Sequence, residues 1–236
     1  MTNLIEMNSI CKSYRNVGFE TQVLNDVTLH IGEGDYVSII GPSGAGKSTL
    51  MAIMGCLAQP TSGEYILDGE EVGKLNDRKL SRARNEKIGF VFQAFHLLPG
   101  VTALENVTLP LVYAKNPPGN VKERARELLA KVGLEHRLHH TPGQLSGGEQ
   151  QRVTIARSLI NDPRIILADE PTGNLDSKNG IETMKTFDNL VKEGKTIVLI
   201  THDSEVAQHA GRIISILDGQ IASDSNHEDK PEARAI

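Results

Sequence analysis

Residues 41–48, GPSGAGKS, match the pattern G-x-x-x-x-G-K-[ST] in full. Glycines let the backbone wrap closely around phosphate oxygens with its amides pointing inward, and a following helix presents the positive end of its dipole. Lys47 supplies a point charge for the β- and γ-phosphates, and the Ser48 hydroxyl can ligate Mg²⁺. The apolar run 36–40 precedes the loop and a helix-like run, 49–54, follows it. An ordinary glycine-rich turn is the alternative, but the full pattern with these flanks favours a nucleoside triphosphate site.

Two acidic residues, Asp169 and Glu170, follow directly after the apolar run 165–168. In an open parallel sheet, ligands gather at the carboxyl ends of the strands. One carboxylate at that edge can hold the shell of a magnesium ion, and a second can orient or deprotonate an attacking water. An exposed acidic turn is the structural alternative. Placement after an apolar strand in a chain with a phosphate loop favours the catalytic interpretation.

The segment 145–153, LSGGEQQRV, is the third pattern with chemical content, and we call it the signature segment. Ser146 is suited to cap the helix that follows. Ser146, Gly147 and Gly148 also leave that helix N-terminus free of bulky side chains, so that backbone N–H groups can meet a second phosphate. A cap alone needs neither paired glycines nor the polar run after them.

The strands that position these motifs are predicted from apolar runs bounded by turn residues. They fall at residues 4–7, 27–31, 36–40, 64–69, 88–92, 165–168 and 196–200. The run 27–31 alternates apolar and polar residues, as a half-exposed antiparallel strand does. The runs 165–168 and 196–200 suit strands covered on both faces of a parallel sheet.

Helices are predicted for the middle of the chain. Residues 97–160 read as helices and loops, and one helical stripe comprises Val121, Ala125, Leu128, Leu129 and Val132. A crossover helix is indicated by Ile181, Met184, Phe187 and Leu190. The polar, charged end, residues 223–236, is predicted not to pack. The result is an α/β core interrupted by a mostly helical insertion.

Composition narrows the class of protein. The chain has 236 residues and a formal net charge of −5, which offers no electrostatic footprint for nucleic acid. No segment approaches the roughly 18 uninterrupted apolar residues of a membrane span, and the N-terminus lacks the pattern of a secretory signal. Cys11 and Cys56 show no metal or redox spacing, so we expect reduced thiols in a soluble cytoplasmic protein.

The signature segment, together with the order of the other motifs, resembles the ATP-binding cassette (ABC) ATPases from residue 4 to about residue 221. The resemblance implies an α/β fold with a P-loop NTPase (RecA-like) core, an antiparallel β subdomain and a helical signature subdomain. In one ABC ATPase domain spanning 1–236, residues 1–96 and 161–222 would form the core with its β layer. Residues 97–160 would form the helical subdomain and 223–236 a flexible tail.

The resemblance also implies ATP and Mg²⁺ as ligands. Tyr14, on the β layer, resembles the aromatic residue that stacks on adenine. The phosphate loop would contact the nucleotide through Gly41, Ser43, Gly44, Ala45, Gly46, Lys47, Ser48 and Thr49. Mg²⁺ would be held by Ser48, Gln93 and Asp169.

Catalytic roles follow from the same resemblance. Glu170 resembles the general base, His202 the histidine that contacts the γ-phosphate, and Gln93 the glutamine that senses Mg²⁺ and the attacking water; Lys47 completes the catalytic set. The opposite subunit of a homodimer would present Ser146, Gly147, Gly148 and Glu149, and Asp176 would cross the dimer interface.

Structural alternatives exist for several of these residues. Tyr14 could be an ordinary surface strand residue, because residues 16–22 make the following loop long. Gln93 could be a solvated loop residue and His202 a capping histidine. The group His136, His139 and His140 superficially suggests a metal site, but it lacks a matching carboxylate or cysteine spacing, so a solvated loop is preferred.

A subgroup within the family is indicated by residues 55–57, 92–99, 102–107 and 168–177. They resemble the macrolide-export and lipoprotein-release type, which is related to the cell-division ATPase. Members of this subgroup work with membrane subunits of few spans and transmit force across the membrane. Since the chain carries no span, a split system is expected rather than a fused polypeptide.

The resemblance therefore implies an ATPase subunit of a transporter, on the inner face of the cell membrane, which closes as an ATP-sandwich homodimer and drives an integral membrane subunit in export or extraction. Alternatives are the cell-division-type ATPase, an ABC ATPase of DNA repair or translation, and a phosphate-loop kinase. The repair and translation types usually carry a long coiled coil or two cassettes, which this sequence lacks. A kinase has no use for residues 145–151.

Overall fold

The computed structural model describes residues 3–16, 19–117 and 119–226. The strands in these residues are β1 (Asn3–Asn16), β2 (Phe19–Gly32), β3 (Tyr36–Ile40), β4 (Ser62–Leu67), β5 (Glu70–Glu71), β6 (Ile88–Phe92), β7 (Ile165–Asp169), β8 (Thr196–Ile200), β9 (Arg212–Leu217) and β10 (Gln220–Asn226). The α-helices are α1 (Lys47–Met54), α2 (Asp77–Lys87), α3 (Ala103–Thr108), α4 (Val121–Lys131), α5 (Gly147–Leu159), α6 (Ser177–Lys192) and α7 (Ser204–Ala207). Short 3₁₀ helices lie at Leu109–Tyr113 and Pro142–Gln144.

The chain forms two compact units. The first, which we call the phosphate-loop unit, comprises the described parts of residues 1–74 and 196–236; the second, the signature unit, comprises Leu75–Lys195. The predicted division at residues 96/97, 160/161 and 222/223 stays a prediction. Every element between residues 97 and 160 that the structure describes is helical, as expected.

An antiparallel sheet in the order β2-β1-β4-β5 forms one layer of the phosphate-loop unit. The predicted alternation in β2 is confirmed, because Val27, Leu29 and Ile31 are buried whereas Thr28 and His30 are exposed. The long loop predicted over residues 16–22 is wrong: β1 extends to Asn16, which pairs with Phe19 at the start of β2. Residues 19–22 are all exposed, so the main-chain pairing with β1, and not a buried face, continues the hairpin to this end.

The second sheet of this unit has the strand order β10-β9-β3-β8. Strand β3 lies parallel to both β8 and β9, and β8 is buried along its whole length, as predicted for an apolar strand covered on both faces. Strand β10 pairs antiparallel with β9 as far as Asn226.

The polar end of the chain is therefore ordered further than predicted. Residues 223–226, expected not to pack, belong to β10, and the Asp224 carboxylate accepts hydrogen bonds of 2.7 and 2.6 Å from the Arg212 guanidinium. A bidentate charged pair and the main-chain ladder hold this segment without an apolar core. Residues 227–236 lie outside the described residues.

In the signature unit, β6 and β7 form a parallel pair in which Phe92 lies opposite Asp169. The predicted stripe of α4 is confirmed in part: Ala125 and Leu129 are buried, as is Val132 just after the helix, whereas Val121 and Leu128 are half-buried. Helix α6 confirms the predicted crossover helix, with Met184, Phe187 and Leu190 buried. The prediction for α6 was wrong at its first residue, because Ile181 is 58% exposed. Among the residues that the structure describes, no helix combines the length and apolar character needed to cross a bilayer.

A buried tyrosine ties α1 to the antiparallel sheet of the phosphate-loop unit. The Tyr65 hydroxyl, on β4, donates a 2.6 Å hydrogen bond to the Met54 carbonyl at the end of α1. Burial, together with nearby Cys56, raises the pKa of Tyr65 well above its ordinary value. The phenol is therefore a neutral donor that anchors the helix behind the phosphate loop.

Tyr65→Phe removes this donor and should lower the free energy of unfolding by about 1–2 kcal/mol, because a buried carbonyl loses its partner. A raised pKa in the folded state means that the unfolded chain releases the proton first. The parental chain should therefore lose stability as the pH rises above about 10, and the variant should lose less. Urea denaturation at pH 8 and pH 10.5 measures both effects; identical curves for the two proteins would contradict this role.

Candidate functional site

The phosphate loop connects β3 to α1 in the phosphate-loop unit. Gly46 is the N-cap of α1 and adopts the left-handed conformation, with φ of 103°. A Cβ atom at this position would come within 2.8 Å of a Leu24 methyl carbon, so the site requires glycine. Gly46 has no side chain to cap the helix. The first amides of α1 are consequently available to an anion.

Lys47 brings positive charge to the same loop. Its ammonium donates hydrogen bonds to the carbonyls of Gly41, at 2.7 Å, and Pro42, at 2.9 Å. The side chain thus turns back along the loop instead of extending into solvent. Ser48, in the first turn of α1, is exposed and presents a hydroxyl beside this charge. Ser43 and Gly44 are exposed, Gly41 and Thr49 are half-buried, and Ala45 is buried.

His202 lies at the same edge of the sheet as the phosphate loop. Strands β3 and β8 are parallel, with Ile39 opposite Ile200, and the Thr201 amide donates to the Ile39 carbonyl. Because parallel strands end at the same edge, residues 41–48 and His202 leave the sheet together. Asp203 caps α7 through its carboxylate. Asp203, and not His202, is therefore the residue that caps this helix.

Tyr14 lies on β1, paired with Thr21, and is 43% exposed. The Lys12 ammonium lies 5.1 Å from the centroid of its ring, within the range of a cation–π contact. A partly exposed ring on a sheet layer is suited to stacking on a base. Its contact with adenine stays a prediction.

Asp169 and Glu170 end β7 in the signature unit. Asp169 is the last residue of the strand, and both side chains are half-buried. Glu170 has φ of 44°, an unfavourable left-handed conformation for a residue other than glycine. The Gly173 amide donates to its carbonyl, closing the turn at 3.0 Å. Backbone strain held by a turn at this position is typical of functional sites.

Gln93 is joined to the loop after Glu170. Gln93 and Glu170 leave their strands at the same edge, because Phe92 and Asp169 are paired. The Asn174 amide donates to the Gln93 carbonyl at 2.9 Å, and the Gln93 amide donates to Asn174 Oδ1 at 3.4 Å. Gln93 is nevertheless exposed, so the solvated-loop alternative and the predicted Mg²⁺ contact both stay predictions. Asn174 is a positioning residue that sequence reasoning quoted within a motif without a role.

The signature segment begins α5 as predicted. Ser146 is the N-cap: its hydroxyl accepts from the Glu149 amide, and Glu149 Oε2 accepts from the Ser146 amide at 2.8 Å. Burial by itself would raise the pKa of Glu149, but hydrogen bonds from Ser146 and Arg137 outweigh it and lower that pKa. Glu149 is therefore a carboxylate.

Gly148 is where α5 meets α6. A Cβ atom on Gly148 would lie 2.0 Å from Asn179 Oδ1, so no larger residue fits. The same Asn179 donates its side-chain amide to Asp176, the N-cap of α6, at 2.7 Å. These hydrogen bonds from Asn179 lower the pKa of Asp176. Asp176 is thus an ionised helix cap, and its predicted contact across a dimer interface stays a prediction.

Two polar residues of α5 that the sequence analysis did not assign tie this helix to the loops after β6 and β7. Gln151 is fully buried, donates to the Pro171 carbonyl at 2.7 Å, and accepts from the Thr154 hydroxyl at 3.0 Å. A polar side chain at a fully buried helix position, three residues after paired glycines, is the signal that could have identified it.

Arg157 is the second. Its guanidinium donates to the carbonyls of Phe95 at 2.8 Å and His96 at 2.6 Å. Both residues have positive φ, 34° and 50°, so the loop after Gln93 adopts a conformation that is unfavourable by itself. Burial lowers the pKa of Arg157, but an arginine side chain stays protonated in proteins, so Arg157 is a cation. Nothing in the local sequence pointed to this contact.

The residues present have the chemistry that nucleotide and Mg²⁺ require. Amides at the start of α1 suit phosphate oxygens, and Ser48, Gln93 and Asp169 offer the oxygen ligands that Mg²⁺ prefers. In the part of the chain that the structure describes, no group of three or more His, Cys, Asp or Glu residues is arranged to hold a metal ion. His140, one of the three histidines considered above, contacts the Arg137 guanidinium instead.

Comparison with known proteins identifies close relatives. The family model described as "ABC transporter" matches residues 24–173. An "Uncharacterized ABC transporter ATP-binding protein" of Thermotoga maritima is 52% identical over 221 residues, 94% of each chain. The "Macrolide export ATP-binding/permease protein MacB" of Azoarcus sp. is 54% identical over 94% of this chain and 34% of its own length, so the chain spans about a third of MacB.

Solved structures of ATP-binding cassettes are also similar to this chain. The ATP-binding cassette MJ0796, in a dimeric post-hydrolysis state bound to ADP and Pi, superposes with a TM-score of 0.85 at 46% identity. The match covers 94% of this chain and 98% of that one. The predicted α/β fold class is thereby confirmed.

Arg157→Ala should lower the free energy of unfolding by about 2–4 kcal/mol, because two carbonyls of a strained loop lose a charged donor. Arg157→Lys keeps the charge but not the two-pronged geometry, so its free energy of unfolding should lie between those of Arg157→Ala and the parent. Arg126→Ala removes an exposed pair with Glu123 on α4 and serves as the control, with no measurable effect. Urea denaturation measures all three; equal stability of Arg157→Ala and Arg126→Ala would exclude the role.

Proposed function

The chain belongs to the ABC transporter family, and we propose that it is the ATP-hydrolysing subunit of a transporter, two copies of which close around two ATP molecules to drive a membrane subunit. The observation that carries this proposal is the occurrence in one chain of two helix N-termini suited to phosphate. One is the phosphate loop at α1, with glycine as its N-cap, and the other is the serine-capped signature segment at α5.

ATP binding is assigned to the phosphate-loop unit. The amides of residues 44–48 would surround the β- and γ-phosphates, and Lys47 would exchange its bonds to the Gly41 and Pro42 carbonyls for phosphate oxygens. Tyr14 would stack on the base and His202 would contact the γ-phosphate from the same sheet edge as the loop. The left-handed turn at Gly46 and the first turn of α1 would hold the amides in place for the phosphates.

Mg²⁺ would be held by Ser48, Gln93 and Asp169. The ion would supply positive charge to neutralise the charge that develops on the phosphate oxygens. Asn174 keeps the Gln93 backbone fixed, and Gln151 fixes the Pro171 carbonyl in the acidic turn. The buried Gln151 contact and the exposed Asn174 contact would together hold these two loops in place during closure.

Glu170 is the proposed general base. It would accept a proton from the water that attacks the γ-phosphate, and its strained backbone fixes the carboxylate at the end of β7. ADP and phosphate, both anionic, would then repel each other and reopen the dimer. The related cassette MJ0796, described as dimeric in a post-hydrolysis state bound to ADP and Pi, supports hydrolysis within a dimer.

Closure would join the signature segment of one subunit to the γ-phosphate bound by its partner. Ser146 is exposed and is followed by two glycines, so no bulky side chain of residues 146–148 would block an anion at the α5 N-terminus. Exclusion of water strengthens such a contact. The dimeric structures of MJ0796 support the arrangement.

A separate integral membrane subunit is the proposed partner. MacB proteins combine ATP-binding and permease parts by name, whereas the T. maritima relative is matched over 94% of its length and is named for ATP binding alone. We infer that the chain acts at the cytoplasmic face of the membrane, in export or extraction of the macrolide-export and lipoprotein-release type. Exposed apolar side chains after Gln93 support a partner surface: Leu98 (48% exposed), Val112 (75%) and Tyr113 (82%).

Glu170→Gln keeps the shape of the side chain and removes its basicity. Turnover should fall by a factor of about 10²–10⁴, while ATP affinity stays within about twofold and an ATP-dependent dimer accumulates. Phosphate release and gel filtration measure these effects, and Glu123→Gln on exposed α4 is the matched control. Hydrolysis by Glu170→Gln at the parental rate would remove Glu170 from this role.

Tyr113→Ser tests the partner surface. It should reduce the fraction of the chain that sediments with membranes of the native host about tenfold, because burial of an aromatic ring contributes much of a contact's free energy. ATPase activity of the isolated chain should stay within about twofold. Leu217→Ser, at a half-exposed position of the phosphate-loop unit, is the control. Equal sedimentation of Tyr113→Ser and the parent would place the partner elsewhere.

A further inference from the structure

The signature segment carries a negative charge at the place where the proposed dimer needs to receive an anion. Glu149 is the third residue of α5, and its Oε2 atom accepts from the amide of Ser146 at the helix N-terminus. A phosphate brought to the amides of Gly147 and Gly148 would lie near this carboxylate. Like charges at short range in a water-poor interface repel strongly, so the charge needs compensation.

Arg137 provides the compensating cation. Its Nε atom donates to Glu149 Oε1 at 2.9 Å, so each oxygen of the carboxylate has a donor: Ser146 on one side and Arg137 on the other. The Glu149 side chain is largely buried and that of Arg137 is about one-third exposed, so solvent screens this pair only partly.

The neighbouring arginine of α5 is committed elsewhere. Arg152, three residues after Glu149, pairs with Glu182 of α6 at 3.1 Å. His140 contacts the Arg137 guanidinium at 3.1 Å through Nε2, which holds the guanidinium on the side facing α5. Arg137 is therefore placed by its surroundings to serve Glu149.

We propose that Arg137 is a positioning residue for the nucleotide of the opposite subunit: it cancels the charge of Glu149, and thereby lets the amides of Gly147 and Gly148 donate to a γ-phosphate. The inference rests on the proposed ATP-sandwich dimer. It explains how a carboxylate is tolerated in a phosphate-binding segment. Glu149 stabilises the start of α5 by accepting a hydrogen bond from the Ser146 amide, and Arg137 neutralises the negative charge of Glu149.

This role differs from simple packing in one measurable respect. Were Arg137 needed only as a structural contact, its loss would be equally harmful whatever the charge at position 149. As a counter-charge, it becomes dispensable once Glu149 is replaced by the neutral, equally long glutamine. The double variant therefore separates the two roles.

The experiment uses the full chain carrying Glu170→Gln, so that bound ATP is retained. Sedimentation velocity gives the ATP concentration at half-maximal dimerisation, and equilibrium dialysis gives ATP affinity at a protein concentration where the chain is monomeric. The variants added are Arg137→Ala, Arg137→Lys, Glu149→Gln and Arg137→Ala with Glu149→Gln. Arg126→Ala, which breaks the exposed pair with Glu123, is the matched control.

Arg137→Ala should raise the ATP concentration for dimerisation about tenfold and leave monomer affinity within twofold. Arg137→Lys should stay within threefold of the parent, and the double variant should match Glu149→Gln alone. A double variant as defective as Arg137→Ala, or Arg137→Ala equal to Arg126→Ala, overturns the inference. Arg137→Gln replaces the alanine variant should that one fail to fold. A Glu170→Gln parent that binds ATP but stays monomeric overturns the dimer itself, which is a distinguishable result.

Discussion

Phosphate groups carry charge that only fixed donors and cations can stabilise without a large reorganisation of solvent, and this requirement governs both helix starts described above. At α1 the solution is a glycine N-cap in the left-handed conformation, which exposes backbone amides beside Lys47. At α5 it is a serine cap followed by two glycines. The price of the second solution is a carboxylate, Glu149, that must be paired.

Within the signature unit, α5 also holds the loops that follow β6 and β7 in place. Gln151 and Arg157, both on α5, bond to carbonyls in the loops that follow β7 and β6. Gln93 and Asn174 then join those two loops to each other. A displacement of α5 would therefore also displace the loops that carry Glu170 and Gln93. The buried bond from Gln151 to the Pro171 carbonyl would transmit such a displacement, because leaving a buried polar group unpaired is costly.

Much of the fold followed from periodicity, and the errors have physical causes. Strands β6, β7 and β8 were predicted because short apolar runs bounded by turn residues are typical of buried strands. The hairpin of β1 and β2 was underestimated, because polar residues on its exposed face resemble a loop. Strand β10 was missed for the same reason: its stability comes from the main chain and from Arg212 with Asp224, which composition does not reveal. Helix α2, with buried Leu80 and Ala83 only, offered little apolar signal.

The sequence by itself determined the chemistry: a phosphate loop, two carboxylates after an apolar strand and a capped, glycine-rich helix start are local patterns, and their order identified the family. Only the tertiary structure decided which side chains hold them. Arg137 reaches Glu149 across 12 residues, Arg157 reaches Phe95 across 62, and Asn174 reaches Gln93 across 81. Such contacts depend on how helices and loops pack in three dimensions, and no short-range pattern in the chain encodes that packing.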